Sequence, residues 1–320
     1  MRYRPVGSSG LVVSVVGLGT NNLGKRVDRE GAARLLDTAQ DLGVTLIDTA
    51  DTYGGPDAKG ASETILGEVL EGRRDEFVLA TKFGGDMAGA YGPDHGARGA
   101  RRYIMRAVEG SLRRLRTDRI DLYQYHRPDG ITPIEETLST LDDLVRAGKV
   151  RYLGLSNSPA WQVTDAVWTA HGGRLTAPIS EQSEYSLLHR EPEADLIPAL
   201  EHHRMGLLPF FPLAAGVLTG KVRRGDRPPA DSRLSEDAWS GWVTDEAFTV
   251  VEALEGYAEK RGLGVLDVAI GALAALPPVS SVIAGARTPD QLRANVAAAE
   301  WVPTADDLAE LDEVVPSHRP

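Results

Sequence analysis

The 320-residue sequence contains no cysteine and no excess of positive charge, and both absences narrow its function. Without cysteine, the chain can form no disulfide, no thiolate zinc site, no iron–sulfur cluster and no thiol nucleophile. Its 35 basic residues face 46 acidic ones, which gives a formal net charge of −11. That balance argues against nucleic acid or an anionic membrane surface as a partner. Hydrophobic residues at 42% and charged residues at 25% are typical of a folded globular chain.

Long apolar runs are missing as well. The longest uncharged run, 268–286, is interrupted by Pro277-Pro278 and by Ser280-Ser281, so it does not predict a membrane-spanning helix. The N-terminal apolar stretch Leu11-Val12-Val13 is followed by no small-residue cleavage site, which argues against a signal peptide. Together with the lack of cysteine, these features predict a cytoplasmic protein.

Short apolar runs alternate with longer stretches of helical periodicity. The short runs end near residues 19, 48, 82, 126, 156, 182, 210 and 285. Strands that are buried on both faces of a parallel sheet have this nearly continuous apolar character. Eight strand–helix units in 320 residues predict the α/β class and a (β/α)8 TIM barrel. Residues 3–14 predict a β-hairpin that plugs the bottom of the barrel.

A doubly wound dinucleotide-binding sheet is the competing fold, because Gly17-Leu18-Gly19 follows a predicted strand. The phosphate-binding motif G-x-G-x-x-G of that fold requires glycine at position 22, where this chain has Asn22. No shift in composition and no polar linker marks a second domain. We therefore predict one barrel domain over residues 1–320, with extended loops at its C-terminal face.

Four ionisable side chains fall near predicted strand ends, where the active sites of such barrels lie. Asp48 and Tyr53 follow the second strand, Lys82 ends the third and His126 ends the fourth. A neighbouring ammonium lowers the pKa of a phenol, and a carboxylate would hold that ammonium in place. This arrangement predicts Tyr53 as a general acid, with His126 hydrogen-bonded to a carbonyl oxygen. Taken singly, each residue also fits an ordinary role as a loop anchor, strand end, rim aromatic or packed histidine.

These residues belong to motifs that resemble the aldo-keto reductase superfamily, in order from about residue 3 to residue 300. The motifs are at 17–20, 47–54, 80–83, 121–126, 148–157, 182–186 and 212–221. They look most similar to the branch that contains bacterial sugar and aldehyde reductases and the β subunits of voltage-gated potassium channels. The resemblance implies a (β/α)8 fold, an NADPH cofactor and the catalytic tetrad Asp48, Tyr53, Lys82 and His126. In this tetrad Tyr53 would be the general acid, Lys82 paired with Asp48 would assist it, and His126 would orient the substrate carbonyl.

The resemblance also implies a set of cofactor-binding residues. Ser156, Asn157 and Gln182 would hydrogen-bond the nicotinamide carboxamide. Phe210, where many relatives have tyrosine, would stack on the nicotinamide ring. Small residues would let the pyrophosphate approach the backbone, with charge from nearby basic side chains. The full predicted set is Gly19, Thr20, Asn21, Asp48, Ser156, Asn157, Gln182, Phe210, Pro212, Leu213, Ala215, Gly216, Leu218, Gly220, Lys221, Arg233, Gly285, Arg287, Gln291 and Asn295.

The corner expected to hold the adenosine 2′-phosphate departs from the pattern of the relatives. Other members supply a lysine at the position of Gly285 and an arginine at the position of Gln291. Arg287 would therefore bind the phosphate nearly alone, assisted by the N-terminus of the following helix. This composition favours NADPH and leaves the use of NADH open.

Three kinds of function fit the sequence, and the intact tetrad favours the first. They are an NADPH-dependent reductase of aldehydes, ketones or sugars, a cofactor-sensing regulatory subunit with vestigial catalysis, and a metal-dependent barrel hydrolase. The neighbours His202 and His203 diverge by about 100° on a helix, so they do not predict a metal site. We expect a small-molecule carbonyl substrate, no metal, and no nucleic-acid or membrane partner; the sequence leaves the oligomeric state open. The short tail after Trp301 predicts little covering of the barrel mouth from the C-terminus.

Overall fold

The computed structural model describes residues 1–55, 57–229, 232–235 and 237–319. It begins with an antiparallel hairpin of strands β1 (Tyr3–Pro5) and β2 (Val12–Ser14), in which Tyr3 lies opposite Ser14. The hairpin side chains Val6, Leu11 and Val13 are buried in one apolar cluster with side chains from inside the barrel. Those partners are Leu46, Ala80, Leu122, Leu208 and Ile283. The predicted plug at the bottom of the barrel is therefore confirmed.

Eight parallel strands form the main sheet. They are β3 (Val16–Gly19), β4 (Leu46–Asp48), β5 (Val78–Phe83), β6 (Ile120–Tyr125), β7 (Val150–Ser156), β8 (Pro178–Gln182), β9 (Gly206–Leu207) and β10 (Val282–Gly285). Hydrogen-bonded neighbours run in the order β10-β3-β4-β5-β6-β7-β8-β9. The ring closes beside β9, where the Leu207 N–H donates to the Pro278 carbonyl at 2.6 Å and the Ser280 N–H donates to the Leu207 carbonyl at 2.9 Å. The predicted (β/α)8 barrel is confirmed.

Within the described ranges, ten α-helices accompany the strands. They are α1 (Arg29–Asp41), α2 (Ala61–Val69), α3 (Arg101–Leu115), α4 (Ile134–Arg146), α5 (Ala160–Gly173), α6 (Leu196–His203), α7 (Asp245–Glu259), α8 (Val265–Ala275), α9 (Pro289–Ala298) and α10 (Ala305–Val314). None of the described helices has the length and apolar character that crossing a membrane requires.

Side-chain caps set the first residue of several helices. Asp28 accepts a hydrogen bond from the Gly31 N–H at 2.8 Å and so begins α1. Thr288 accepts from the Gln291 N–H at 3.3 Å, and the fixed φ of Pro289 suits the first position of α9. Each cap pairs an N–H group that the first helical turn leaves without a partner, and such a cap contributes about 1 kcal/mol. The cap at Thr288 fixes the start of α9 beside the predicted cofactor residues.

The seventh strand is shorter than the predicted run that ends at Phe210. The regular ladder stops at Leu207, and Phe210 makes only an isolated bridge with Glu184. Single hydrogen bonds to the β8 side continue beyond the ladder, since the Leu208 N–H donates to the Glu181 carbonyl at 2.9 Å and the Phe210 N–H donates to the Ser183 carbonyl at 3.0 Å. Pro209 has no N–H to donate on the opposite side. The chain is bent away further by a positive φ of 52° at Phe211.

The interval between β9 and β10 and the C-terminal tail hold more helix than the sequence predicts. The pattern of eight strand–helix units predicts one helix in the interval, but it contains short 3₁₀ segments at 214–219, 233–235 and 237–242, followed by both α7 and α8. The tail forms α10, which packs against α7 and carries an ion pair between Asp307 and Arg261. No described residue after Asn295 is among those that line the cleft at the barrel mouth.

Candidate active site

The ammonium of Lys82 is the centre of a buried cluster at the C-terminal ends of β4 and β5. Its Nζ donates to Asp48 Oδ2 at 2.6 Å, to the Thr49 carbonyl at 2.8 Å and to the Tyr53 hydroxyl at 3.3 Å. The side chains of Lys82 and Asp48 are 1% and 3% exposed. A buried pair of this kind is retained only when further hydrogen bonds satisfy both ions. The three contacts hold the ammonium beside the phenol.

Two amides satisfy the remaining oxygen of Asp48. Gln182 Nε2 donates to Asp48 Oδ1 at 2.8 Å, and Gln124 Nε2 donates to the same oxygen at 3.1 Å. Gln124 was not predicted as a site residue. Strand alternation identifies it, because Gln124 lies two residues after Leu122 on β6 and so faces the barrel interior as Leu122 does. The carboxylate is thereby fixed on both sides.

The pKa of Tyr53 is raised, contrary to the expectation from Lys82 alone. Burial of the phenol is the largest effect and raises the pKa, whereas the Lys82 ammonium lowers it. Burial also opposes the charged form of Lys82, but Asp48 and Tyr53 outweigh it and raise the pKa of the ammonium. At neutral pH the pair is therefore a protonated phenol beside a protonated amine. The predicted net lowering is wrong for the protein alone, because the sequence did not show how far the folded chain shields the phenol from water.

His126 follows β6 and lies edge-on to Tyr53, with 6.0 Å between the ring centroids. Burial, then the charges of Lys82 and Arg127, lower the pKa of His126 to about 3. Its Nδ1 is buried without a hydrogen-bond partner among the described residues. The imidazole is thus neutral at physiological pH, and it can act only as a neutral hydrogen-bonding group.

The turn after β7 joins the tetrad to the next strand. Ser156 Oγ donates to the Gln182 carbonyl at 2.8 Å, and Asn157 Nδ2 donates to the His126 carbonyl at 2.9 Å. Asn157 has a φ of 55°, a left-handed conformation that asparagine tolerates better than most residues. The residues predicted to bind a carboxamide therefore surround the same opening as the tetrad.

A cleft of about 580 Å³ extends from Tyr53 and His126 past Phe210 to the start of α9. Its wall contains nearly all the predicted cofactor residues: Gly19, Thr20, Asn21, Asp48, Ser156, Asn157, Gln182, Phe210, Pro212, Leu213, Ala215, Gly216, Lys221, Arg233, Gly285, Arg287, Gln291 and Asn295. Leu218 and Gly220 are not among the lining residues. The Leu218 side chain is fully buried in the core, and Gly220 ends the 3₁₀ segment with a φ of 69°. The fold thus collects residues from distant parts of the sequence along one continuous surface.

The segment at the middle of the cleft has an unusual backbone. Ala214, Ala215 and Gly216 have φ values of 48°, 57° and 114° in succession. A left-handed conformation costs an L-residue about 1 kcal/mol or more, so the two alanines are held there by their surroundings. A Cβ at Gly216 would meet no atom within 4 Å, so glycine is needed for its φ and not for space. Such a segment can present its backbone closely to a ligand.

Arg233 links the two sides of the cleft. Its Nη2 donates to Asn21 Oδ1 and to Asn22 Oδ1, both at 3.2 Å. The guanidinium carbon also lies 5.4 Å from the centre of the Phe211 ring and 5.1 Å from that of Trp239. The segment after residue 220 is thereby joined across the cleft to the loop after β3.

The charge of the described cleft is opposite to that of the whole chain. Its described lining residues include five cations, and the single carboxylate among them, Asp48, is paired with Lys82. The cations are Arg26, Arg127, Lys221, Arg233 and Arg287. The last three were predicted from the sequence, whereas Arg26 and Arg127 were not. This cleft favours a negatively charged ligand.

The fold and the cluster at its mouth define a barrel oxidoreductase, and the comparisons with known proteins give the family. The chain belongs to the aldo/keto reductase family, whose sequence model matches residues 15–316. It is 35% identical over 329 aligned residues to a probable voltage-gated potassium channel subunit beta of Oryza sativa subsp. japonica, covering 99% of this chain and 97% of the relative. It is 33% identical to the uncharacterized oxidoreductase YrpG of Bacillus subtilis (strain 168), with 99% and 96% covered. It is 32% identical to an L-glyceraldehyde 3-phosphate reductase of Escherichia coli O157:H7, with 98% and 92% covered.

The cleft also has the chemistry that a nicotinamide dinucleotide requires. The aromatic ring of Phe210, the neutral amides of Asn157 and Gln182 and the guanidinium of Arg287 line it together with tetrad residues. This set of groups suits a flat ring, a carboxamide and phosphates. The residues therefore fit a dinucleotide extended along the cleft.

Proposed function

We propose that the protein is an NADPH-dependent oxidoreductase that reduces the carbonyl group of aldehydes, ketones or sugars, with Tyr53 as general acid. The observation that carries this proposal is the contact chain from Asp48 to Lys82 (2.6 Å) and from Lys82 to the Tyr53 hydroxyl (3.3 Å). Membership of the aldo/keto reductase family supports it. Residues 1–320 act as one barrel domain in this proposal.

Each member of the tetrad has a separate task in the proposed reaction. A bound nicotinamide would supply hydride to the carbonyl carbon. The Tyr53 hydroxyl gives its proton to the carbonyl oxygen, and the adjacent Lys82 ammonium stabilises the phenolate that remains. Asp48 keeps that ammonium in position, and neutral His126 hydrogen-bonds the carbonyl oxygen without competing as a proton donor.

The proposed cofactor preference is NADPH, with NADH as the second cofactor to be tested. Arg287 supports the choice of NADPH, because a guanidinium suits a phosphate and the residue lies at the N-terminal end of α9. Gln291 Oε1 accepts a hydrogen bond from the Arg287 N–H at 2.8 Å, so this side chain orders the corner but adds no charge. Only one cation of the three expected from the resemblance is present at this corner.

The proposal is tested by NADPH oxidation with a panel of aldehydes, ketones and ketosugars. We expect the wild type to turn over at least one class, and Tyr53→Phe to lower kcat by about a hundredfold to ten-thousandfold. The variant keeps the ring and loses only the hydroxyl, so its Kd for NADPH should stay within about twofold of wild type. Full activity in Tyr53→Phe would refute the assignment of the acid.

The plant relatives described as probable channel β subunits support a second candidate, a cofactor-sensing regulatory subunit with vestigial catalysis. The complete tetrad favours the enzyme. Negligible turnover of every carbonyl tested, together with capture of a stoichiometric partner by the NADPH-bound protein, would reverse that order. In either case we propose a cytoplasmic location, as the cysteine-free composition predicts.

A further inference from the structure

Arg127 lies at the catalytic end of the cleft, beside the tetrad. It directly follows His126 in sequence, it is exposed, and it lines the same cleft as Tyr53 and Asn157. Its positive charge also contributes to lowering the pKa of His126. Arg127 is therefore part of the cleft wall that contains the tetrad.

Arg127 forms no hydrogen bond or ion pair with the residues that the structure describes, unlike most other arginines near the cleft. Arg233, for comparison, is bonded to Asn21 and Asn22. The nearest acidic side chain of the tetrad, Asp48, has both oxygens occupied by Lys82, Gln124 and Gln182. The charge of Arg127 thus has no described partner in the protein.

The other cations of the cleft have positions that suit a dinucleotide. Arg287 precedes α9, and Lys221 follows the segment 214–219 at the middle of the cleft. Arg287 and Lys221 would bind the phosphates of the cofactor. Arg127 directly follows the tetrad residue His126, so we assign it to the substrate and not to the cofactor.

We propose that the preferred substrates are short carbonyl compounds with an anionic group, and that Arg127 binds this group while the carbonyl lies between Tyr53 and His126. The inference rests on the proposed reductase function and narrows its substrate class. A guanidinium binds carboxylate and phosphate alike through paired N–H donors, so the common chemistry is a compact oxyanion. The Cα atoms of consecutive residues are only about 3.8 Å apart, so we expect the carbonyl and the anion to belong to one small molecule.

The experiment compares matched substrates, with NADPH as cofactor. One pair is 4-oxobutanoate and butanal, which tests a carboxylate; the other is glycolaldehyde phosphate and glycolaldehyde, which tests a phosphate. The measured quantity is the ratio of kcat/KM for the anionic member to that for the neutral member. In the wild type this ratio should exceed one in at least one pair, and it should decrease as ionic strength rises.

The variants are Arg127→Met, Arg127→Lys and the control Arg151→Met, which removes an exposed arginine at the opposite end of β7. Arg127→Met should lower the ratio by about tenfold to a hundredfold, the effect of losing one hydrogen-bonded charge. Arg127→Lys should retain part of the preference, and Arg151→Met all of it. A change in the imidazole environment would affect both members of a pair equally, so an unchanged ratio in Arg127→Met overturns the proposal.

A binding measurement separates this inference from the proposed function. If the wild type reduces no carbonyl at all, the reductase proposal has failed. Calorimetric titration of 4-oxobutanoate and of glycolaldehyde phosphate into the NADPH-bound wild type and Arg127→Met then decides whether the anion site exists. Binding that weakens at least tenfold in the variant supports the site, and equal binding or none in both proteins overturns it.

Discussion

For Glu181 the structure predicts how the free energy of unfolding changes with pH, including the sign and the slope of that change. The side chain is fully buried beside Gln182, and its Oε1 accepts hydrogen bonds from the Ser158 N–H at 3.0 Å and from Ser183 Oγ at 2.8 Å. Its Oε2 is buried without a partner among the described residues. Burial raises the pKa of Glu181 from its ordinary 4.5 to about 8, against the opposing effect of the Ser158 N–H. The folded protein therefore keeps a proton here that the unfolded chain releases.

The consequence is a loss of stability with rising pH. Between about pH 4.5 and pH 8 the unfolded state has lost the proton and the folded state has not, so the free energy of unfolding falls as pH rises through this window. One such group contributes a slope of about 1.4 kcal/mol per pH unit. From about pH 5.5 to pH 7.5 the contribution of Glu181 is therefore a decrease of about 2.7 kcal/mol.

Glu181→Gln removes this slope and preserves the shape of the side chain. The amide oxygen can still accept from Ser158 and Ser183, and the amide nitrogen takes the place of the protonated oxygen. Equilibrium urea unfolding at several pH values, followed by tryptophan fluorescence, measures the free energy of unfolding of both proteins. The exposed Glu300→Gln is the matched control and should reproduce the wild-type slope. Equal pH slopes in wild type and Glu181→Gln would refute the reasoning.

Three further predictions concern the site itself. Lys82→Met should abolish turnover and destabilise the fold by about 3–5 kcal/mol, because Asp48 is left charged and unpaired. Adding Asp48→Asn to this variant should restore stability but not activity. A stable and active Lys82→Met protein would contradict the prediction. Arg287→Ala should raise the Kd for NADPH about tenfold or more and change the Kd for NADH less than twofold, both measured by fluorescence titration. Equal changes in the two Kd values would refute the assignment of Arg287 to the 2′-phosphate. Because the pKa of His126 is about 3, the pH profiles of kcat/KM for wild type and His126→Gln should have the same shape between about pH 5.5 and pH 8. If the wild-type profile shows an ionisation in that range and the variant does not, the imidazole titrates there and the prediction is wrong.

Most strand positions of the barrel could be predicted from the sequence, because a parallel sheet buries both faces of its strands and they are therefore apolar. The ends of β3, β4 and β5 lie at or within one residue of the predicted positions 19, 48 and 82. The seventh strand was overestimated because its run is apolar up to Phe210, while the regular strand ends at Leu207 and only single hydrogen bonds continue to Phe210. Apolar character reports burial, and it does not report whether a backbone N–H is present to continue a ladder.

The positions of the site residues were also predictable, but their environments were not. Strand ends brought Asp48, Lys82 and His126 together as expected, since the carboxyl ends of barrel strands meet at one face. The raised pKa of Tyr53 depends on how the surrounding side chains exclude water, which spacing along the chain does not encode. The exposed charge of Arg127 was missed for the same reason, because its significance depends on the absence of a partner across the cleft.

The central claim is that hydride reaches a carbonyl carbon while Tyr53 protonates the carbonyl oxygen. The most direct measurement uses NADPH carrying deuterium at the transferable C4 position, an aldehyde from the panel, and mass spectrometry of the alcohol. The account predicts one deuterium on the carbinol carbon with wild-type protein and a rate at least about a hundredfold lower with Tyr53→Phe. Alcohol without deuterium, or labelled alcohol formed by Tyr53→Phe at the wild-type rate, would contradict it.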